Sequence, residues 1–345
     1  MVVRVGENVC PTLTGLLLIG KESGLKRLVP TASAVFQVMQ GTKVVINESY
    51  RKPIIELVEL FSECMKAWNP EKEFEYGLFR IPISEFSKPA FREGLINAFF
   101  YRDYAMMGSV RVQINDEGLT ISNPGGFIEG ITLNNLLTAE PYGRNLVLSD
   151  ALKRIGLAER TGRGIDRIFE GSITSGGPWP DYSESTSQNV TLFIARAKAD
   201  IPFIQMIMDE QKAIGHTLSI NTLLILSVLY NERKLSGKEL SDKTHISIQR
   251  IKPLIETLIE RGLVEEIGRG AHRMLMLSKK TYQKAGKTKE YTRQKGIDQV
   301  RFPEMILQLH ITKAQAYAIL QQLCETHQLE LNGKGRYARY KLVEK

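Results

Sequence analysis

Hydrophobic residues recur at two different spacings along the chain, and the order of these patterns predicts its architecture. Residues 52–67 and 91–100 are apolar on one face at helical spacing. Residues 110–114 and 119–122 alternate between apolar and polar positions around the turn-forming residues 116–118, which is typical of a β-hairpin. The first 200 residues therefore predict a mixed α+β domain.

Shorter segments extend this prediction. Residues 13–19 and 34–39 are apolar runs that favour strands, and residues 20–28 between them favour a loop. Residues 76–83 are strand-like, and residues 132–137 predict a short helix. Residues 198–213 are expected to connect this domain to a different pattern.

The C-terminal part predicts helices followed by hairpins. Residues 220–230 are strongly apolar at helical length, residues 247–261 form a longer amphipathic helix, and residues 263–277 form a hairpin. This order resembles the winged helix, and a shorter version of it recurs over residues 302–342. Pro253 lies inside the second helix and removes a backbone donor, which predicts either a bend or a later helix start.

The net charge is confined to this C-terminal part. Residues 1–200 carry a net charge of −1 and residues 201–345 a net charge of +9, which gives the total of +8. A positive excess on one part of a chain favours a polyanionic partner, and double-stranded DNA is the partner we expect.

In a winged helix the third helix enters the major groove and the hairpin reaches the phosphates or the minor groove. The candidate DNA contacts are polar residues at the predicted helix starts and hairpin tips of the two modules: Ser247, Gln249, Arg250, Lys252, Arg269, Arg273, Lys313, Gln315, Lys334 and Arg336. Because winged helices gain specificity by pairing half-sites, we also expect a homodimer.

Residues 91–171 combine polar side chains with glycines at three places. Glu93 and Asn97 are four residues apart, so a helix presents them on one face. The strand at 119–122 runs into Asn123-Pro124-Gly125-Gly126, where a ligand can approach the backbone closely. Thr161-Gly162-Arg163-Gly164 opens another helix, whose unpaired N–H groups can hold an anion.

In this order the three segments resemble the Bergerat-type ATP-binding fold of gyrase B, Hsp90, histidine kinases and MutL. They are more similar still to a divergent version in RecG-related bacterial transcriptional regulators. The resemblance implies that Glu93 activates the attacking water and that Asn97 holds Mg²⁺ against the phosphates of ATP. The remaining residues implied to bind the nucleotide are Asn123, Gly125, Gly126, Gly162 and Gly164.

One position departs from the broader superfamily. Asn123 stands where that superfamily has an aspartate that accepts a hydrogen bond from the adenine amino group. A neutral amide still accepts through its oxygen, but the charge-assisted bond is lost. Nucleotide binding therefore stays an expectation beside the alternative of a fold that serves only as a scaffold.

The whole chain is expected to be a Bergerat-type α/β sandwich followed by two winged-helix domains. Residues 1–50 resemble the closing part of the AlbA-like module of Schlafen proteins, whose front half is missing. The predicted domains are a partial AlbA-like module at 1–50, a nucleotide-binding-like domain at 51–197, and winged helices at 198–280 and 281–345.

The leading hypothesis is a cytoplasmic DNA-binding transcriptional regulator whose DNA affinity is gated by ATP with Mg²⁺. The alternatives are an ATPase that acts on or with DNA and a scaffold or interaction protein without a nucleotide. A P-loop helicase is disfavoured, because the sequence contains no G-x-x-x-x-G-K-[ST] segment.

No apolar run approaches the length of about 20 residues that a membrane helix needs, so no membrane association is expected. The three cysteines lack the spacing of a zinc site or a disulfide framework.

Overall fold

A computed structural model describes residues 1–140, 143–158, 162–196, 198–268, 273–284, 299–300, 313–326, 329–332 and 339–342. The chain divides into two compact units, Met1–Leu224 and Ile225–Lys345.

The first unit is built on a five-stranded mixed sheet. Its strands are β3 (Ala34–Gln40), β4 (Lys43–Tyr50), β7 (Val110–Ile114), β8 (Gly118–Pro124) and β9 (Asn189–Ala195). Their order is β4-β3-β7-β8-β9, and β3 and β7 are parallel while the other neighbours are antiparallel. Since β3 and β4 belong to this sheet, it extends across the predicted domain boundary at residue 50.

Among the residues described in this unit, two hairpins and seven helices accompany the sheet. The hairpins are β1 (Val2–Val5) with β2 (Asn8–Pro11), and β5 (Glu71–Tyr76) with β6 (Phe79–Ser84). The helices are α1 (Leu13–Ile19), α2 (Glu22–Leu28), α3 (Ile54–Trp68), α4 (Lys88–Tyr101), α5 (Leu146–Arg154), α6 (Gly164–Thr174) and α7 (Ile201–Ile214).

The core lies where helices pack on the alternating apolar positions of the central strands. Phe36 on β3 meets Phe61 on α3, with 5.5 Å between ring centroids. Helix α4 packs against α3, α6 and β8, and its residues Leu95 and Ile96 are almost fully buried. This packing holds α4, which carries Glu93 and Asn97, between the sheet and α6.

Several local predictions for the first unit were wrong. Residues 13–19 form α1 rather than a strand, because the Thr12 side chain caps the helix by accepting from the Gly15 N–H. The predicted loop at 20–28 contains α2. Residues 76–83 belong to two strands separated by a turn at Gly77, whose φ is +61°. Residues 132–137 form hydrogen-bonded turns around Asn135 instead of a helix.

The described part of the second unit contains two small antiparallel sheets with helices. The boundary between units falls inside α8 (Ile220–Glu232). Then follow β10 (Lys234–Leu235), α9 (Gly237–Thr244), α10 (Ile248–Glu260), β11 (Val264–Ile267), β12 (Met274–Leu277) and α11 (Lys279–Lys284), with sheet order β10-β12-β11. The second sheet has the order β13-β15-β14, built from β13 (Gln299–Val300), β14 (Leu329–Asn332) and β15 (Arg339–Leu342), and α12 (Lys313–Glu325) precedes β14.

Two features of the second unit bear on the predictions. Helix α10 begins at Ile248 and continues through Pro253, so of the two alternatives, a bend or a later start, the later start was wrong. Helix α9 begins with a capping box, in which Ser236 and Glu239 each bond the other's backbone N–H. Within the described part of the chain, no helix has the length and apolar character that a membrane span requires.

Candidate functional site

One wall of the candidate site is a face of α4. Ser87 caps this helix by accepting from the Ala90 N–H, and Pro89 occupies its first turn. Glu93 and Asn97 lie one turn apart on the same wall of an open cleft, followed by Phe100 and Tyr101. The predicted pairing of a carboxylate with a carboxamide is therefore present in the structure.

Glu93 is buried and held by arginines. It is 3% exposed, and its Oε1 lies 2.8 Å from Arg92 Nη1 and 3.7 Å from Arg167 Nη1. Arg92 also donates to the carbonyls of Gly156 and Leu157, just beyond α5. One oxygen of Glu93 is thus part of an ion-pair network that ties α4 to its neighbours.

The start of α6 faces these two side chains. A Cβ atom added at Gly164 would lie 3.4 Å from Glu93 Oε2 and 3.5 Å from both amide atoms of Asn97. Gly162 has a φ of +77°, a left-handed conformation that glycine adopts without strain. The glycines therefore bring the N-terminal end of α6 close to Glu93 and Asn97.

Asn97 carries an unsatisfied group at this point. Its Nδ2 is buried and has no hydrogen-bond partner among the described residues. A buried donor without a protein partner costs free energy, and a water, an ion or a ligand can supply the partner. Rotation of the amide by half a turn exchanges its nitrogen and oxygen, so this position can present a donor or an acceptor.

The opposite end of the cleft is formed where β8 ends. Asn123 is 4% exposed, and its Nδ2 donates to the Pro124 carbonyl at 3.1 Å. Gly125 has a φ of +96°, and its N–H donates to the Gln188 carbonyl at 2.8 Å. A Cβ at Gly126 would lie 2.7 Å from the carbonyl oxygens of both Thr186 and Ser187. The close approach of these backbones explains why the turn requires glycine.

Arg144 stabilises the same turn. Its Nη2 donates to the Gly126 carbonyl at 3.0 Å, and its Nη1 lies 3.6 Å from Asp103 Oδ2. This guanidinium thus connects the segment before α5 to the glycine turn.

Between the two ends the cleft is mostly apolar. The empty space in and in front of it, open solvent included, is about 1060 Å³. Tyr101 and Tyr182 line it, and burial raises the pKa of both phenols, so both stay neutral at physiological pH. The apolar lining residues are Ile121, Phe127, Ile128, Ile131, Leu136, Val190 and Leu192.

All but one of the residues predicted to form the nucleotide site line the cleft. Glu93, Asn97, Asn123, Gly126, Gly162 and Gly164 all line the cleft, and Gly125 adjoins it through the turn. The sequence did not predict Tyr182, Phe127 or Lys153 as lining residues. They lie in segments without a motif, and only the folded path of the chain brings them to the cleft.

The residues predicted to contact DNA are described only in part. The N-cap residue Ser247 is exposed, and so are Gln249, Arg250 and Lys252 on the first two turns of α10. Arg273 is exposed and pairs with Glu266 at 3.2 Å. Lys313 and Gln315 lie in α12, and Arg269, Lys334 and Arg336 lie outside the described residues.

The described residues contain no cluster of three or more His, Cys, Asp or Glu side chains that could hold a metal ion.

A family model described as "Putative ATP-dependent DNA helicase recG C-terminal" matches residues 108–194. The matched segment contains β7, β8, α5, α6 and β9, and it begins after Glu93 and Asn97. The chain thus contains a RecG-related ATPase-like domain. No curated protein sequence matches the chain.

Among solved structures, the DIP2311 protein from Corynebacterium diphtheriae is similar to this chain with a TM-score of 0.63 and 16% identity. The match covers 98% of this chain and 62% of that one, and at this identity it shows a shared fold alone. The oxidised and reduced forms of MarR from E. coli both match with a TM-score of 0.19 over 35% of this chain. They are 15% and 14% identical to it, with 83% and 85% of their own chains covered.

Proposed function

We propose that the cleft of the first unit binds an adenine nucleotide with Mg²⁺, that the second unit binds double-stranded DNA, and that nucleotide binding changes the affinity for DNA. The protein would then be a DNA-binding transcriptional regulator. The observation that supports this best is the buried amide nitrogen of Asn97, which has no hydrogen-bond partner among the described residues and lies beside the glycine start of α6.

The end of the cleft at Asn123 favours adenine over guanine. The Pro124 carbonyl can only accept, so the Asn123 amide must turn its nitrogen towards it and keep Oδ1 as an acceptor. Adenine carries an amino group that donates to such an acceptor, whereas guanine carries a carbonyl oxygen at the same position. The side chain can therefore select adenine without the charge of an aspartate.

The end of the cleft at Asn97 and the start of α6 fits the phosphates of the nucleotide. Asn97 Nδ2 can donate to a phosphate oxygen, and after rotation of the amide Oδ1 can serve as a ligand to Mg²⁺, which prefers oxygen. Mg²⁺ bound with a nucleotide neutralises part of the phosphate charge. The N–H groups at the start of α6 add donors and the positive end of the helix dipole.

The second unit has the element order of a winged helix, with α8, α9 and α10 followed by the hairpin of β11 and β12. Its α10 begins with exposed polar and basic side chains and has no acidic residue in its first turn. This supports docking of α10 in the major groove. Residues from Ile201 onward carry the net positive charge of the chain.

Titration calorimetry with ATP, in the presence and absence of Mg²⁺, tests the nucleotide site. We expect Mg²⁺-dependent binding by the wild type and a loss of at least about tenfold in affinity for Asn97→Ala, because the variant lacks the amide. Asn47→Ala is the matched control, since Asn47 is an exposed asparagine on β4 outside the cleft. No binding by the wild type at millimolar ATP would overturn the proposal for the cleft.

The regulatory step needs its own readout. Fluorescence anisotropy with a labelled duplex should show that ATP changes the apparent Kd of the wild type but not of Asn97→Ala. Equal DNA affinity of the wild type with and without saturating ATP would contradict gating.

A second candidate function is ATP hydrolysis, and the position of Glu93 favours it. Its Oε2 would lie 3.4 Å from a Cβ added at Gly164, so it faces the start of α6 and can accept a proton from a water there. Because Oε1 is held by Arg92, we expect slow turnover. Glu93→Gln should abolish phosphate release while ATP binding persists; phosphate release at the wild-type rate would exclude Glu93 as the base.

A further inference from the structure

Helices α4 and α6 pack closely at two glycines of α6. A Cβ atom at Gly164, the first residue of α6, would lie 3.4 Å from Glu93 Oε2. A Cβ at Gly171, seven residues later, would lie 2.5 Å from Ser87 Oγ and 3.4 Å from the Cβ of Ala90. Residues seven apart share a helix face. The face of α6 towards α4 thus carries no side chain at either glycine, which favours small sliding of α6 along α4.

The other end of α6 contacts the start of α7. The carbonyl of Gly176, just beyond α6, accepts from the Asp200 N–H at 3.2 Å. A Cβ atom at Gly176 would lie 2.8 Å from the Asp200 nitrogen and 2.9 Å from two carbons of the Ile204 side chain. Asp200 in turn caps α7 by accepting from the Phe203 N–H at 3.1 Å. The end of α6 therefore lies directly against the first turn of α7.

Helix α6 connects this contact to the candidate nucleotide site. It spans 11 residues, Gly164–Thr174, and its start lines the cleft. Backbone hydrogen bonds fix the rise per residue of a helix, so a helix of this length shifts as one body. A ligand that binds the N–H groups at the start of α6 and shifts the helix along its axis therefore shifts the far end by a similar distance.

A second cavity leaves space beside the contact with α7. It is lined by Thr174 and Ser175 at the end of α6, by Ile204 and Ile207 on α7, and by the hairpin of β5 and β6. A close-packed interior resists displacement, whereas a cavity gives side chains room to move. The first turn of α7 can therefore follow a small shift of α6.

Helix α7 lies in the first unit and leads towards the second. It ends at Ile214, and α8, inside which the boundary between the units falls, begins at Ile220. The connection between these helices is short and tied to α7, since Gln211 Oε1 accepts from the Leu218 N–H at 3.2 Å. A displacement of α7 therefore moves the segment through which the chain enters the second unit.

We propose that α6 transmits nucleotide binding to α7, and that the contact of Gly176 with Asp200 and Ile204 is the point at which this signal passes to α7. The inference rests on the proposed function and names the route by which ATP changes the affinity for DNA. The two states differ in the position of α6 along α4, and ATP favours one of them because its phosphates bind at the start of α6.

Ile204→Ala tests the contact on the full chain, because it removes the side chain that Gly176 approaches. Ile204 is not among the residues that line the cleft, so titration calorimetry should give the wild-type affinity for ATP. Anisotropy with a labelled duplex should show that saturating ATP changes the apparent Kd about fivefold or more in the wild type and less than about twofold in the variant. A response to ATP as large as that of the wild type would overturn the inference.

Ile207→Ala is the matched control. Ile207 lies about one helical turn further along α7 and lines the same cavity, and the two isoleucines are 1% and 3% exposed. Both variants lose the same atoms from a buried position, so both should lose similar stability. The atoms nearest to the Cβ position of Gly176 belong to Asp200 and Ile204, so Ile207→Ala should keep the response to ATP. Loss of the response in both variants would overturn the assigned contact.

Amide hydrogen exchange tests the route without a substitution in α7. Saturating ATP should change the exchange of residues 201–207 in the wild type but not in Asn97→Ala at the same ATP concentration. Unchanged exchange of these residues in a wild type that binds ATP would overturn the inference, even if Ile204→Ala does not fold.

The outcomes separate the inference from the function on which it rests. Failure of the wild type to bind ATP would show that the proposed nucleotide site is wrong. Binding of ATP without a change in the DNA affinity of the wild type would show that the proposed gating is wrong. The inference falls alone where the wild type responds to ATP and Ile204→Ala responds equally.

Discussion

The cleft of the first unit and the exposed face of α10 in the second unit place their candidate residues in opposite environments. In the cleft, Glu93 and Asn123 are 3% and 4% exposed, and each bonds a neighbouring group. On α10, Ser247, Arg250 and Lys252 are exposed to solvent. The candidate site in the cleft depends on backbone packing, whereas the candidate DNA-binding face of α10 depends on solvent-exposed polar and charged side chains.

This difference decides which kind of change each site tolerates. A buried site loses its geometry when a single atom is added near the backbone, because the interior is close-packed. An exposed basic surface loses affinity in proportion to the charges removed, and it responds strongly to salt. Packing changes should therefore affect the cleft, and charge changes should affect α10.

The largest effect is expected from Gly126→Ala. The new Cβ would lie 2.7 Å from the carbonyl oxygens of Thr186 and Ser187, which are backbone atoms and cannot turn away. We expect the free energy of unfolding of the first unit to fall by about 2 kcal/mol. Trp68 and Trp179 are the only tryptophans of the chain and both lie in this unit, so urea unfolding followed by tryptophan fluorescence reports on it selectively.

Gly237→Ala is the control for that measurement. Gly237 starts α9 in the second unit, and a Cβ there would meet no atom within 4 Å. The tryptophan transition of this variant should match that of the wild type. If Gly126→Ala also unfolds at the urea concentration at which the wild type unfolds, the turn at Gly126 has room for a methyl group and is not tightly packed.

The polar groups of the cleft could be predicted because local physics places them. Four-residue spacing puts Glu93 and Asn97 on one face of α4, and Gly164 begins α6. The ordered motifs then predicted that these segments meet, and Gly164 does lie against both side chains.

Other parts of the site could not be predicted, since they depend on the path of the chain. Tyr182 lies in a loop rich in glycine, proline and serine, and Lys153 is one of several basic residues near the end of α5. Nothing in their local sequence indicates that they line the same cavity. Likewise, the short apolar run at 13–19 suits a strand or a helix, and the cap at Thr12 decides for the helix.

A smaller effect is expected for DNA binding by the second unit. It should differ between Arg250 and Arg273, which the sequence analysis both named as DNA contacts. Arg250 has no ion-pair partner among the described residues, whereas Arg273 pairs with Glu266 at 3.2 Å. Arg250→Ala should weaken binding to a mixed-sequence duplex by about tenfold at low salt and reduce the salt slope by about one. Arg273→Ala should cost about threefold, because part of its charge is already neutralised.

Glu266→Gln tests that explanation directly, since it removes the carboxylate and leaves Arg273 available to a phosphate. Duplex affinity measured by anisotropy over a series of salt concentrations should rise slightly for Glu266→Gln and fall again in the double variant with Arg273→Ala. A loss for Arg273→Ala as large as that for Arg250→Ala would mean that the ion pair opens on binding. Exposure alone, and not pairing in the free protein, would then determine which charges of this surface contribute to DNA affinity.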